Sequence, residues 1–368
     1  VSAVSTINRY LLPGFAFKAV VIGGGYATGR ELVEFFMPTG PVGGLWGMLL
    51  AMVMWSVICA ITFRFAYAVG ATDYQSFFRP LLGRFDIAFE IIYFGFLILV
   101  LSVFGSAAGA IGAAMFGLPH IVGTLALVGA VLAVCAAGQG AAEAVFKYVS
   151  ILLYGVYAIF LVMVLWQFTP QIRAGFAMPV PTTGWFMGGV TYASYNVIGA
   201  VLILPVLRHL RSGRDAVVSG LLAGPLAMAP AIAFFVCLVG FYPGIVNEEL
   251  PSNYVLDALG SPLFHLAFQI MVFFALLECS VGFVQAFNAR IDAAYQRRGK
   301  SMPQSVRIAV PAAVTIGSVF IASAIGLVAL IANGYRAMAI ATLIVFVLPL
   351  LTIGVARLLR GRGEPVPA

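Results

Sequence analysis

The chain has 368 residues, of which 62% are hydrophobic and 9% charged, with a mean hydropathy of +1.06. That leaves too little polar surface to cover a soluble core, and no polar stretch is long enough for a separate soluble domain. The formal charge of +7 would suit a nucleic-acid binder in a soluble protein, but here membrane orientation accounts for it and no nucleic-acid partner is expected.

Apolar runs of roughly 20 residues, enough to span a bilayer as a helix, recur along the sequence. Ten spans are expected, at about 12–36, 43–69, 86–116, 119–138, 144–168, 184–208, 215–242, 262–289, 305–325 and 337–359. The first reads as a retained helix and not as a cleaved signal. Residues 71–84, with Phe77, Phe78 and Leu81 among Asp73, Arg79 and Arg84, predict an amphipathic segment at the interface. Residues 244–260, with Glu248, Glu249 and Asp257, predict an outer loop with a short helix. Cys59, Cys135, Cys237 and Cys279 lie singly in apolar runs and suggest neither disulfides nor zinc.

Charge orients these spans. With the N-terminus inside, inner loops hold sixteen of the 20 Lys and Arg, outer loops hold Arg173 and Arg336, and Lys18 and Arg30 lie within the first span. Such an asymmetry is the positive-inside pattern of an inner-membrane-type protein, with both termini cytoplasmic. Five spans starting inside and five starting outside make two halves of opposite topology, about 12–168 and 184–359, in a single membrane domain.

The first spans of the two halves then correspond. Span one contains Gly23-Gly24-Gly25-Tyr26-Ala27-Thr28-Gly29-Arg30-Glu31, and four glycines in seven residues oppose a continuous helix. Span six contains Gly188, Gly189, Thr191, Tyr192, Ser194, Tyr195, Asn196 and Gly199, with Pro205 beyond. Paired interruptions of this kind point to a transporter binding site at the bilayer midplane. Glycines also serve close helix packing, which is the competing reading. On the site reading, Gly23 to Gly29 supply backbone amides for an anion, and Tyr26, Tyr192, Tyr195 and Asn196 supply hydrogen bonds and aromatic walls for a small metabolite such as an amino acid.

Ionisable residues at bilayer depth are functional candidates. Arg30 and Glu34 are spaced i,i+4 and should pair, and with Glu31 they are expected at a vestibule or gate. Glu278 stands in an apolar stretch of span eight between Leu277 and Cys279. It can carry a proton, or hold a sodium ion together with Ser280 and backbone oxygens; an ion pair with Lys18 is the structural alternative. Sodium needs several oxygens and Ser280 lies on another helix face, which favours the proton. Glu90 and the Glu143/Lys147 pair, near inner helix ends, read as structural. No cofactor beyond such a coupling ion is expected, and no HExxH, GxSxG or paired-His pattern suggests an enzyme. A receptor that binds without transporting is the alternative function.

The run from Gly23 to Glu31 resembles the G-A-G-F-A-[ST]-G-[QR]-E signature of the YkvI-type bacterial membrane proteins. Tyr195-Asn196 with Val201-Leu202 and Leu204-Pro205, Leu276-Leu277-Glu278 with Phe287 to Ile291, and Pro349 to Gly354 resemble further elements of that family. The departures are Gly24 for Ala, Cys279 for Thr and Ala289 for Glu; the second weakens any hydroxyl ligand at that position. The family is similar to the amino-acid/polyamine/organocation transporters. The resemblance implies the LeuT-type five-plus-five inverted-repeat fold, with helices one and six broken.

Overall fold

A computed structural model describes residues 6, 9–137, 139–296 and 299–361. The Glu143 and Lys147 side chains, and the basic residues Arg297, Arg298 and Arg362, lie outside what is described. Among the described residues the structure is helical throughout.

The first predicted span is broken twice. Helix α1 covers Leu12–Val21, α2 is the single turn Gly24–Ala27, and α3 is Arg30–Phe36. A 3-10 turn, Met37–Thr39, leads into α4, Gly40–Val69. Helix α5, Tyr74–Leu82, is the expected amphipathic segment. Asp73 and Ser76 form a reciprocal cap at its start, which fixes where it begins. Helices α6 (Asp86–Phe116), α7 (His120–Ala137) and α8 (Gln139–Ala177) follow.

The sixth predicted span is also divided, into α9 (Trp185–Asn196), α10 (Gly199–Leu202) and a 3-10 stretch, Leu204–His209. Then come α11 (Gly213–Val239), the short helix α12 (Pro251–Leu259), α13 (Pro262–Gln296), α14 (Gln304–Ile325) and a final helical run α15, Leu327–Leu359.

Eight helices among the described residues are long and apolar enough to cross a membrane. The shortfall from ten has a physical origin. The segments expected as spans one and six are those cut into short pieces, and only α1, Leu12–Val21, persists as a shorter apolar helix.

Two span boundaries differ from those expected. Helix α8 continues past a kink at Phe168 (φ −116°, ψ 17°), so Arg173 stands on helix instead of in a loop. Gly326, at φ +83°, turns the chain so sharply that α15 begins at Leu327. Arg336 therefore lies within that helix, where it is exposed, and not in the loop expected before a final span beginning at 337. Glu90 takes the structural role expected of it: it pairs with Arg290 and accepts from Gln75 Nε2 at 2.9 Å.

Small residues set the packing, as is usual between membrane helices. Helices α4 and α11 meet backbone to backbone. A Cβ on Gly220 would lie 2.3 Å from Ala60 Cα, and one on Gly224 would lie 2.2 Å from Ser56 Oγ. Helix α9 approaches α3 of the broken first span in the same way: a Cβ on Gly188 would lie 2.2 Å from the Phe35 carbonyl oxygen. This close packing brings the two interrupted segments together.

Candidate binding site at the paired helix breaks

The first break is a change of backbone path. Ile22 N–H still donates to Lys18 (2.8 Å), but Gly23 N–H turns back to Val21 (2.9 Å). After the single turn of α2, Gly29 N–H donates to Tyr26 (2.9 Å), and Gly29 adopts φ +78°. A side chain at that position would be strained by the backbone angle. It would also meet Pro251 at 3.3 Å and Phe234 at 3.4 Å. Thr28 closes the second break. Its hydroxyl accepts from Arg30 N–H (3.3 Å), and its carbonyl accepts from Ser252 N–H of α12 (2.9 Å).

The amides expected to hold an anion are thus largely engaged. Ala27 N–H donates to Gly23 (3.1 Å) and Gly29 N–H to Tyr26. On α9 the break is milder. Val197 N–H donates to Ala193 (3.0 Å), after which Ala200 N–H turns to Val197 (2.9 Å). Asn196 Nδ2 donates to the Tyr192 carbonyl of its own helix (3.0 Å), and Trp55 Nε1 donates to Ala193 O (3.1 Å). Part of the polarity at Asn196 therefore serves the helix end itself.

The three charged residues after the first break separate into two roles by geometry. Arg30 is 5% exposed and faces the loop before α12. Its Nη1 donates to the Val246 carbonyl (3.0 Å) and the Glu248 carbonyl (2.9 Å), and its Nη2 donates to Glu34 Oε2 (2.5 Å). Glu31 is also 5% exposed but faces α9, where its Oε2 accepts from the Tyr195 hydroxyl at 2.7 Å. Helical spacing explains the split: neighbouring residues point about 100° apart, while i,i+4 partners share a face.

Buried tyrosines from four parts of the chain form a cluster that reaches Glu31 through Tyr192, Tyr195 and Tyr335. Tyr26 comes from α2, Tyr157 from α8, Tyr192 and Tyr195 from α9, and Tyr335 from α15, all buried. Tyr195 stacks on Tyr335 with ring centroids 4.4 Å apart, and Tyr26 stacks on Tyr157 at 6.1 Å. The hydroxyls of Tyr26, Tyr157 and Tyr192 are buried without a hydrogen-bond partner in the protein. Those of Tyr26 and Tyr157 face one another without reaching hydrogen-bond geometry.

Sequence reasoning missed Tyr157 and Tyr335. The available signal was a phenol standing alone in an apolar helix, which carries a polar tip that needs a partner. Tyr335 is turned inward directly after the π-helical turn Leu330–Gly334, an irregularity that does not show as a period in the sequence.

Glu278 does not belong to this cluster. It lines a cavity of about 450 Å³ with Lys18, Ala19, Val20 and Ile22 of α1, Tyr93 of α6, Tyr154 of α8 and Cys279 of α13. Lys18 Nζ donates to the Tyr154 hydroxyl (2.6 Å), close to the ring face. Ser280 is 1% exposed, its Oγ has no protein partner, and it does not line that cavity. Gly23, at the break, abuts α6 and α13: a Cβ there would lie 3.2 Å from Phe104 and 3.8 Å from Cys279 Sγ.

No family model matches the chain. It is similar to the "Uncharacterized membrane protein YkvI" of Bacillus subtilis (strain 168), 23% identical over 279 residues, which cover 76% of this chain and 80% of that protein. Among solved structures it is similar to the manganese transporter of Eremococcus coleocola, with a TM-score of 0.61 and 14% identity, over 95% of this chain and 80% of that one. It is also similar to a Na+-coupled sialic acid symporter, with a TM-score of 0.60 and 13% identity, over 93% and 78% of the two chains. MhsT in complex with L-phenylalanine matches over 98% of both chains, with a TM-score of 0.55 and 14% identity. The chain is a multi-pass helical membrane protein with the LeuT-type fold of these transporters, and its resemblance to YkvI-type proteins extends over most of its length.

Proposed function

We propose that the chain is a cation-coupled secondary transporter of a small polar metabolite, such as an amino acid, in a bacterial inner membrane. The observation that carries this reading is the meeting of two interrupted helical segments around buried polar side chains. Backbone and polar groups at membrane depth are tolerated where they line a cavity or meet a ligand. Residues 23–29 with Tyr192, Tyr195 and Asn196 form the substrate site. Glu278 is the coupling group, with a proton favoured over sodium. Uptake into proteoliposomes tests this directly: a panel of amino acids and amines should include a compound accumulated under an imposed proton gradient, and collapse of the gradient should release it. A panel member that binds but is never accumulated under proton or sodium gradients would favour a receptor instead.

The architecture proposed with this function is ten spans in two inverted repeats, with the broken segments counted as spans one and six and both termini cytoplasmic. Cysteine labelling checks it. Arg211→Cys should react only from the inside and Asn247→Cys, beside Glu248, only from the outside. Labelling of both from one side would remove the inverted repeat.

A further inference from the structure

Helix α5 has an apolar face, but that face is turned into the protein. Phe77, Phe78 and Leu81 are buried. Phe78 stacks on Phe89 of α6 with ring centroids 3.8 Å apart, and Phe77 meets Phe65 of α4 at 5.3 Å and Phe346 of α15 at 6.0 Å. The helix is therefore held by the bundle and does not sink its apolar side into lipid. The side left exposed carries Arg79.

Arg84 follows in the 3-10 turn Gly83–Phe85, exposed, with its guanidinium 5.1 Å from the centre of the Phe85 ring. The end of α15 lies alongside. A Cβ on Gly354 would come within 3.5 Å of Leu81, and Arg357, one turn later, and Arg360, just past the helix, are exposed. Among the described residues, none of these four arginines has an acidic partner. The nearby acids are engaged: Asp73 caps α5, Glu90 pairs with Arg290, and Asp86 opens α6, where a helix N-terminus favours a carboxylate.

Uncompensated arginines attract an anion, and guanidinium groups match phosphate oxygens well. What lies beside them says which kind of anion. Phe85, Ile87, Ile91 and Phe94 are exposed in succession, and the last three share one face of α6 at i, i+4 and i+7 spacing. The stripe ends where Phe94 meets Phe287 of α13, with centroids 5.4 Å apart. At the rise of a helix, Phe85 to Phe94 spans about 14 Å, against roughly 15 Å for the hydrocarbon of one leaflet. A soluble anion would use the arginines and leave the stripe bare. A phospholipid uses both.

We propose that the α5–α6 turn and the end of α15 form a binding site for an anionic phospholipid. Arg79 and Arg84 hold the headgroup phosphate, Arg357 and Arg360 add to the positive field, and an acyl chain runs along the stripe below Phe85. With the orientation proposed above, this lipid belongs to the cytoplasmic leaflet, whose negative surface attracts arginines at the ends of spans. The site is separate from the paired helix breaks and does not depend on what the chain transports.

The test uses the full chain, purified in mild detergent, with bound lipid counted by native mass spectrometry. Phosphatidylglycerol and phosphatidylcholine with the same acyl chains are compared, and phosphatidylglycerol should bind at least about tenfold more tightly. Arg79→Gln and Arg84→Gln should each weaken its binding about fivefold, the factor for one arginine near an anionic surface, and together about 25-fold. Phosphatidylcholine binding should not change. Arg173→Gln removes an exposed charge from the end of α8 that packs near Val239, away from α5, and should have no effect.

A phosphatidylglycerol with a diazirine in one acyl chain gives the location. Its crosslinks should fall within residues 85–94 and disappear in the double variant. Glycerophosphate and inorganic phosphate, which lack chains, should not displace the lipid. Equal binding of the two lipids, an unchanged double variant, or an equal loss in Arg173→Gln would each overturn the proposal. So would crosslinks spread over the other spans, or displacement of the lipid by either soluble phosphate.

Discussion

Glu278→Gln is expected to leave substrate exchange running while abolishing accumulation driven by a proton gradient. The substitution keeps shape and hydrogen-bonding atoms and removes only the ability to gain and lose a proton. Its motivation is position. An acidic side chain at bilayer depth costs about 2.5–3.5 kcal/mol on insertion scales and persists where it has a task. Glu278 spends that energy on a cavity of about 450 Å³ that it shares with α1, below the first break. A cavity of that size with several polar groups on its wall can hold water, and water can bring a proton to a carboxyl.

Sodium coupling would recruit further oxygens, yet Ser280 sits buried off the cavity wall, and Cys279 offers sulfur where a hydroxyl would serve. Affinity of Glu278→Gln for substrate should stay within about threefold of wild type, equivalent to less than 1 kcal/mol. A variant that still accumulates substrate with unchanged dependence on the proton gradient would show that Glu278 is structural.

The breaks themselves were legible because glycine acts locally. Four glycines in seven residues carry a backbone cost wherever the chain goes, so the interruption of span one could be placed before any tertiary contact was known. The Arg30–Glu34 pair was legible for the same reason, since i,i+4 spacing is fixed by the helix. The environment of Glu31 was not. Its placement against Tyr195 depends on Gly188 letting α9 approach the Phe35 backbone, a contact across more than 150 residues of sequence. Tyr157 and Tyr335 reach the tyrosine cluster from other helices, the latter by way of a π turn, and neither leaves a spacing to count. Arg336 misled for a related reason: a single glycine at positive φ shortened the outer turn and drew the arginine into the final helix.

Arg30→Ala is expected to open the paired helix breaks toward the loop before α12. Arg30 joins α3 to the outer loop by two bonds to carbonyls, at Val246 and Glu248, and by an ion pair to Glu34. Beside it, the Thr28–Ser252 backbone bond ties the second break to α12. Removing the guanidinium leaves Glu34 and both carbonyls without this donor, a loss of about 3–4 kcal/mol, toward the low end for a buried charge left uncompensated because Glu34 is partly exposed. If the open state exposes those groups to water, that loss falls on the closed state alone, and the equilibrium moves about 100- to 1,000-fold toward opening.

The buried Ser252, changed to cysteine, reports the shift. An impermeant maleimide added outside should react far faster in the Arg30→Ala background than with Arg30 intact. Arg30→Lys should fall between, because an ammonium keeps the charge but cannot reach Glu34 and both carbonyls with one planar fork. Equal labelling rates in all three proteins, each monodisperse in detergent, would mean that Arg30 braces the fold and does not hold the outer side shut.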